Sequence, residues 1–177
     1  DLTDLGVCGP DIDDAGIAAI MARHGHSLET LTLRKTSIGP AGAATVAAAT
    51  PNLKRLELYR NGLGPTGMAA FVVGFRGKLE VLSVNADFIK DEGARAIAEE
   101  VGHGLVSLKL WECAVGPEGA AAIARSTPQL KSLDLTENFF GAQGAVAISD
   151  MMPRLHSLSL ESNKLGDRGE TVVAASL

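Results

Sequence analysis

A chain of 177 residues and 18.3 kDa with a net charge of -5 has room for one ordinary domain or one short repeat array, and a second catalytic domain hardly fits. With 16 Lys and Arg against 21 Asp and Glu and a pI near 5.3, it lacks the overall basic field that attracts phosphate backbones, which excludes general nucleic-acid binding. A 46% hydrophobic and 21% charged composition predicts a folded chain, and 4% aromatics with 20 glycines predict an aliphatic core at close backbone approach.

In chain order, the elements repeat. An L-x-x-L-x-L phrase opens at Leu2 and again at Leu28, Leu53, Leu79, Leu105, Leu130 and Leu155, a period of 25 or 26 residues. The units are 2–27, 28–52, 53–78, 79–104, 105–129, 130–154 and 155–177, and together they form a single domain over 1–177. In each unit the closing alternation, as in Leu31-Thr32-Leu33 or Leu108-Lys109-Leu110, has the period of a short half-buried strand. An aliphatic or aromatic residue follows five positions later (Ile12, Ile38, Leu63, Ile89, Val115, Phe140, Leu165), and a glycine four beyond that. Apolar residues then recur at helical spacing, as in Ala43, Val46 and Ala47 or Ala120, Ile123 and Ala124. Pro40, Pro65 and Pro117 mark helix starts, with Asp91 and Asp167 supplying favourable charge elsewhere, while Pro51, Pro128 and Pro153 mark the stops.

A unit with one strand and one helix buries its apolar faces only against a neighbour, so the sequence predicts an α/β solenoid. Helices are wider than strands, about 10 Å against about 4.8 Å, so the array curves with the parallel sheet concave and the helices convex. The glycine column is expected to let each helix start approach the strand layer.

The phrase Leu53-Lys54-Arg55-Leu56-Glu57-Leu58-Tyr59-Arg60-Asn61-Gly62-Leu63, followed by Gly64-Pro65-Thr66-Gly67, resembles leucine-rich repeats of the ribonuclease-inhibitor-like class, and the resemblance covers essentially the whole chain. Gly93-Ala94-Arg95-Ala96-Ile97-Ala98 and Gly119-Ala120-Ala121-Ala122-Ile123-Ala124 look like the shorter repeats of bacterial GALA-type effectors. That resemblance implies a substrate-recruiting arm of a larger effector or ubiquitin-ligase adaptor, whose F-box these residues do not include, acting in a host cytoplasm. The repeat class also includes Ran GTPase-activating proteins and innate-immune-type regulators, so a GTPase-activating role through Arg34 or Arg60 is the alternative, and a structural assembly scaffold another. The Asn position of the repeat holds Asn61, Asn138 and Asn163 but Pro10, Thr36, Asp87 and Cys113 elsewhere, so an imperfect hydrogen-bond ladder is expected.

The remaining chemistry is sparse. The longest apolar stretch, around Met68 to Val73, is far shorter than the ~20 residues of a membrane span, so no membrane partner is expected. The opening Asp1-Leu2-Thr3-Asp4 shows no leader, and two cysteines four units apart cannot bridge, which points to a reducing, cytoplasmic setting. Cys113 reads as a buried packing residue and Cys8 as exposed. His24 and His26 lack further metal ligands, Asp11, Asp13 and Asp14 read as N-terminal helix charge, and His103 and His156 have no nucleophile beside them; neither a catalytic residue, a metal nor a cofactor is expected.

Binding is therefore expected on the concave face, to a protein partner. Side chains between and just after the strand leucines form columns there: Thr32, Glu57, Ser83, Lys109, Asp134 and Ser159, then Cys8, Arg34, Tyr59, Asn85, Trp111, Thr136 and Glu161. The lone Tyr and lone Trp share the second column, and such side chains dominate interfaces. A third column runs Gly9, Lys35, Arg60, Ala86, Glu112, Glu137 and Ser162, with like charges adjacent. The predicted face is bipolar: Arg34, Lys35, Arg55 and Arg60 against Glu57 in units two and three, and Glu112, Asp134, Glu137 and Glu161 against Lys109 in units five to seven. Without polar capping motifs at either end, end-to-end self-association is a further expectation.

Overall fold

A computed structural model describes residues 1–75 and 78–176; Arg76, Gly77 and Leu177, which belong to the third and seventh units, lie outside the described residues. Among the described residues seven strands form one parallel sheet in chain order, β1 (Asp4–Cys8), β2 (Thr30–Arg34), β3 (Arg55–Tyr59), β4 (Val81–Asn85), β5 (Ser107–Trp111), β6 (Ser132–Asp134) and β7 (Ser157–Ser159). They alternate with helices α1 (Asp14–His24), α2 (Pro40–Ala49), α3 (Gly64–Val73), α4 (Lys90–Glu100), α5 (Pro117–Ser126), α6 (Gly141–Ser149) and α7 (Gly166–Ser176). Short 3-10 turns over Gly25–Ser27 and Met152–Arg154 lead into β2 and β7.

The register follows the repeat. Leu31 stands opposite Leu5 and Leu56, Leu56 opposite Leu82, and Leu82 opposite Leu108, so each leucine column forms a ridge across the sheet. That ridge packs against the helix layer: Leu31, Leu33, Leu56, Leu82, Leu108 and Leu110 are buried together with Val46, Ile97 and Ile123 from the helices. Full burial of one such side chain stabilises by roughly 1.5–3 kcal/mol, which is why a unit holds its shape only between neighbours. Consistently, Leu5 in the first unit and Leu158 and Leu160 in the last are only partly buried, each having a neighbour on one side.

Helix starts are marked as the sequence predicts. Pro40 and Pro117 are the first residues of α2 and α5, and Pro65 is the second of α3. Asp13 caps α1 by accepting from the Gly16 N–H at 2.8 Å. A second device crosses the unit boundary. Asp14 of α1 accepts from the Gly39 N–H at 2.7 Å, and Asp91 of α4 accepts from Gly116 and Gly119 N–H at 2.6 and 2.8 Å, so each carboxylate caps the next helix.

The glycine column has a different neighbour from the expected strand layer. A Cβ at Gly93 would stand 2.6 Å from Ile89 Cβ, and one at Gly119 would meet Asp91 Oδ1 at 2.6 Å, Val115 Cγ1 at 2.9 Å and Ala94 Cβ at 3.0 Å. The space is taken by the apolar loop residue four positions earlier and by the preceding helix. The column therefore sets helix-to-helix spacing and the seating of the loop.

Candidate functional site

The strand side chains that do not enter the core form the exposed sheet face. Arg34 at the end of β2 and Trp111 at the end of β5 are exposed, the latter by 42%, and Tyr59 at the end of β3 is half-buried. Arg55 and Lys109 are exposed and Glu57 and Asp134 half-buried on the same face. The register places Cys8, Arg34, Tyr59, Asn85 and Trp111 on successive strands as one row. Glu161 lies beyond the end of β7 and is exposed.

Asn85 departs from expectation. It is only 8% exposed in this row and offers a partner little surface. It lies on β4, between the larger side chains Tyr59 and Trp111 in the paired strands.

Cys8, Arg34, Lys35 and Tyr59 bound an open hollow of about 450 Å³ at the start of the array, where two cations and an exposed thiol converge. The Arg60 guanidinium lies 5.5 Å from the centre of the Tyr59 ring, a cation–π contact that holds the aromatic against the basic side of the face.

The third sequence column is not a strand column. Lys35, Arg60, Ala86, Glu112, Glu137 and Ser162 all have φ between 51 and 57°, in the left-handed region, one residue past the strand line. The conformation costs a non-glycine residue ~1–2 kcal/mol. In the first five it is held because the amide extends the sheet ladder by a step, Lys35 N–H donating to Tyr59 O at 2.8 Å and Arg60 N–H to Asn85 O at 2.9 Å. The chain turns here, so these six residues stand on the rim of the solenoid at the C-terminal edge of the sheet. Lys35, Arg60 and Glu137 are exposed and Glu112 is half-buried.

Beneath the rim runs the Asn ladder, more complete than the sequence implies. Thr36 N–H and Oγ1–H donate to Asn61 Oδ1, Asn61 N–H donates to Asp87 Oδ1, Cys113 N–H donates to Asn138 Oδ1 and Asn138 N–H donates to Asn163 Oδ1, all within 3.1 Å. Cys113 takes over the donor side, its Sγ lying 3.3 Å from the carbonyls of Val84 and Trp111, where Asn138 Nδ2 meets Leu110 O and Thr136 O. Burial pushes the Cys113 thiol up to about 12, so it stays protonated and can donate. Asp87 supplies only acceptors, and burial raises its carboxyl against the lowering effect of the Leu63, Asn61 and Gly62 backbone amides.

Two exposed aromatics escaped the sequence reading. Phe88, with φ 47°, and Phe139 are 61% and 59% exposed at the loop position just outside the ladder. Their separation in sequence hides that they share one column of the rim, with Ala114 between them. Their position one residue after Asp87 and Asn138 was the available signal, since that slot otherwise holds Asp11, Ser37, Gly62, Ala114 and Lys164. Lys164 Nζ lies 5.5 Å from the Phe139 ring centre.

Among the described residues there is no group of three or more His, Cys, Asp or Glu side chains that could hold a metal ion, and no helix is long and apolar enough to cross a membrane.

Comparison with known proteins agrees with this geometry. The leucine-rich-repeat family model matches residues 50–72 and 128–149. Over 91% of its length the chain superposes on a chain of the crystal structure of the Rad7 and Elc1 complex in yeast, with a TM-score of 0.73 and 20% identity. It spans 42% of that chain. No curated protein matches it by sequence. The family match over these two segments and the strand-and-helix repeat across the array lead to one conclusion: the chain is folded as a leucine-rich-repeat solenoid.

Proposed function

We propose that the concave sheet face binds a partner protein, with Trp111 and Tyr59 as anchors and the basic and acidic ends setting the direction in which the partner lies. The observation that carries this reading is Trp111: the only tryptophan of the chain stands 42% exposed at the end of β5, outside the apolar code that builds the core. Aromatic and Arg side chains dominate interface energetics, and Arg34, Arg55 and Tyr59 share its face. The hollow bounded by Cys8, Arg34, Lys35 and Tyr59 suits an acidic side chain of the partner, and Asp134 and Glu161 at the far end suit basic ones.

The finer role that the repeat resemblance favours is recruitment of a substrate protein for a larger effector or ubiquitin-ligase adaptor, in the cytoplasm and without a cofactor. The likeness to a chain solved in a protein complex supports an assembly role of this general kind.

The experiment uses a photo-reactive side chain at position 34 or 161, on the concave face, and at 121 or 143, on the helices, in cell extract. Adducts with a foreign protein from the first pair, lost on Trp111→Ala, support the reading. Adducts from the helix positions alone, unaffected by Trp111→Ala, overturn it.

A further inference from the structure

The rim carries a charge order that ordinary sheet stabilisation does not produce. Read across the units, the left-handed column is Gly9, Lys35, Arg60, Ala86, Glu112, Glu137 and Ser162: neutral, two cations, neutral, two anions, neutral. The opposite edge of the sheet shows what the chain does when a charge column serves its own fold. There Glu29, Lys54 and Glu80 alternate, with Lys54 Nζ 2.9 Å from Glu29 Oε2 and its pKa raised by Glu29 first and Glu80 after it. On the rim the like charges are neighbours, roughly 4.8 Å apart at strand spacing, where they repel.

That order is antisymmetric about Ala86. A two-fold axis lying in the rim plane at the fourth unit, across the direction of the array, turns unit two onto unit six and unit three onto unit five while keeping each column over itself. Lys35 then faces Glu137 of a second copy, and Arg60 faces Glu112. In the neighbouring columns the rule holds in part, since Cys8 meets Glu161, Arg34 meets Thr136 and Ser37 meets Phe139 without opposite charges. Asp11 faces Lys164, Tyr59 faces Trp111, and Phe88 lies over its own counterpart at the axis. Phe88 is the residue that the monomer explains least, a bulky side chain 61% exposed in the left-handed region. Because the array turns over about an axis in its own plane, the two arcs also curve the same way and stay in contact along the rim.

We infer that the C-terminal rim of the sheet is a self-association surface on which a second copy of this chain docks antiparallel, pairing Lys35 with Glu137, Arg60 with Glu112 and Phe88 with Phe88. An isologous contact of this kind requires each patch to complement itself, and closes at two subunits. The inference does not rest on the partner-binding reading and fails separately from it, because its test reads the oligomeric state of the purified chain alone.

The test is charge reversal with rescue, read by sedimentation over a concentration series. The parent is expected to be a dimer that weakens with salt, and Lys35→Glu with Arg60→Glu, or Glu112→Lys with Glu137→Lys, to leave monomers with unchanged melting curves. An equimolar mixture of the two reversed forms, and the fourfold swap, restore dimers, because each re-creates opposite charges across the axis. Separately, Phe88→Cys in a Cys8→Ser background cross-links to a covalent dimer under mild oxidation. A parent that is monomeric at the highest attainable concentration overturns the inference. So does a dimer that survives both reversals, as an end-to-end contact through Leu158 and Leu160 would, or a fourfold swap that stays monomeric.

Discussion

Asn61 donates its backbone N–H to Asp87 Oδ1 at 2.7 Å across the boundary between the third and fourth units, while Asp87 Oδ2, on the same buried carboxyl, has no hydrogen-bond partner among the described residues. In the units that carry Asn, the second side-chain atom is an NH2 that reaches carbonyls of its own and the preceding strand, as Asn163 Nδ2 reaches Leu135, Leu160 and Glu161. An ionised Asp87 carboxyl supplies no donor of this kind, and only its protonated form could.

The first prediction follows from that mismatch. Burial raises the Asp87 pKa above its ordinary 3.8, so the folded state holds this proton more tightly than the unfolded chain. The stabilising contribution is complete below the ordinary carboxylate value and is lost as pH rises through the raised folded-state value. Asp87→Asn, which supplies the missing donor at every pH, is expected to stabilise the protein at neutral pH by about 1–3 kcal/mol, the usual cost of an unsatisfied buried group. Near pH 4 the two proteins should melt closer together. Equal melting temperatures across the whole series would mean that Asp87 is ionised and adequately solvated where it stands.

The two thiols should behave oppositely. Cys8 is exposed, whereas Cys113 is fully buried, with its pKa near 12 and its Sγ facing two carbonyls. A thiol reagent at neutral pH is expected to modify one cysteine per folded chain and two after denaturation, since the thiolate is the nucleophile. Mapping the native adduct by mass spectrometry should find Cys8; modification of Cys113 at a comparable rate would show that the ladder opens readily.

Gly93 and Gly16 occupy the same repeat position and should respond differently. A Cβ at Gly93 lands 2.6 Å from Ile89 Cβ, whereas one at Gly16 finds Asp13 Oδ1 at 3.5 Å and Ile12 Cγ2 at 3.9 Å. Gly93→Val is expected to destabilise by about 1–3 kcal/mol or more through overpacking. Gly16→Ala should be neutral or should stabilise by up to about 1 kcal/mol, because the helix interior prefers alanine. Denaturant midpoints of the two variants decide the matter, and equal losses would remove the distinction.

Trp111 reports directly on the concave face. Docking should shift its emission to the blue, and Trp111→Ala should weaken partner binding by more than about 1 kcal/mol while leaving the melting temperature nearly unchanged. A collapse of folding on this substitution would place the ring in the core.

Long-range charge should act on the rate of encounter. Reversing Arg34 and Arg55 to Glu, both on the strand face and away from the rim pairs, is expected to lower the partner's association rate and flatten its dependence on salt. Association measured across a salt series checks this, and identical curves for parent and variant would move the interface off the concave face.

The division of labour between sequence and tertiary structure can be read from three places. The strand and helix of each unit, and the parallel order of the sheet, were determined by the 25- or 26-residue period alone, because Leu-x-Leu can bury its side chains only by stacking on its copies. The columns Arg34, Tyr59 and Trp111 were equally legible, since in-register repeats turn sequence positions into neighbours. What the sequence could not decide was where the chain leaves the strand line. Lys35, Arg60, Glu112 and Glu137 resemble a continuation of the alternation, yet their left-handed backbone puts them on the rim, because the loop must turn there to bring the Asn ladder under it. Nor could it show that Asn85 is covered, that Cys113 serves in place of Asn, or that Phe88 and Phe139 are left outside, since each depends on the space that neighbouring units leave, and only packing fixes that space.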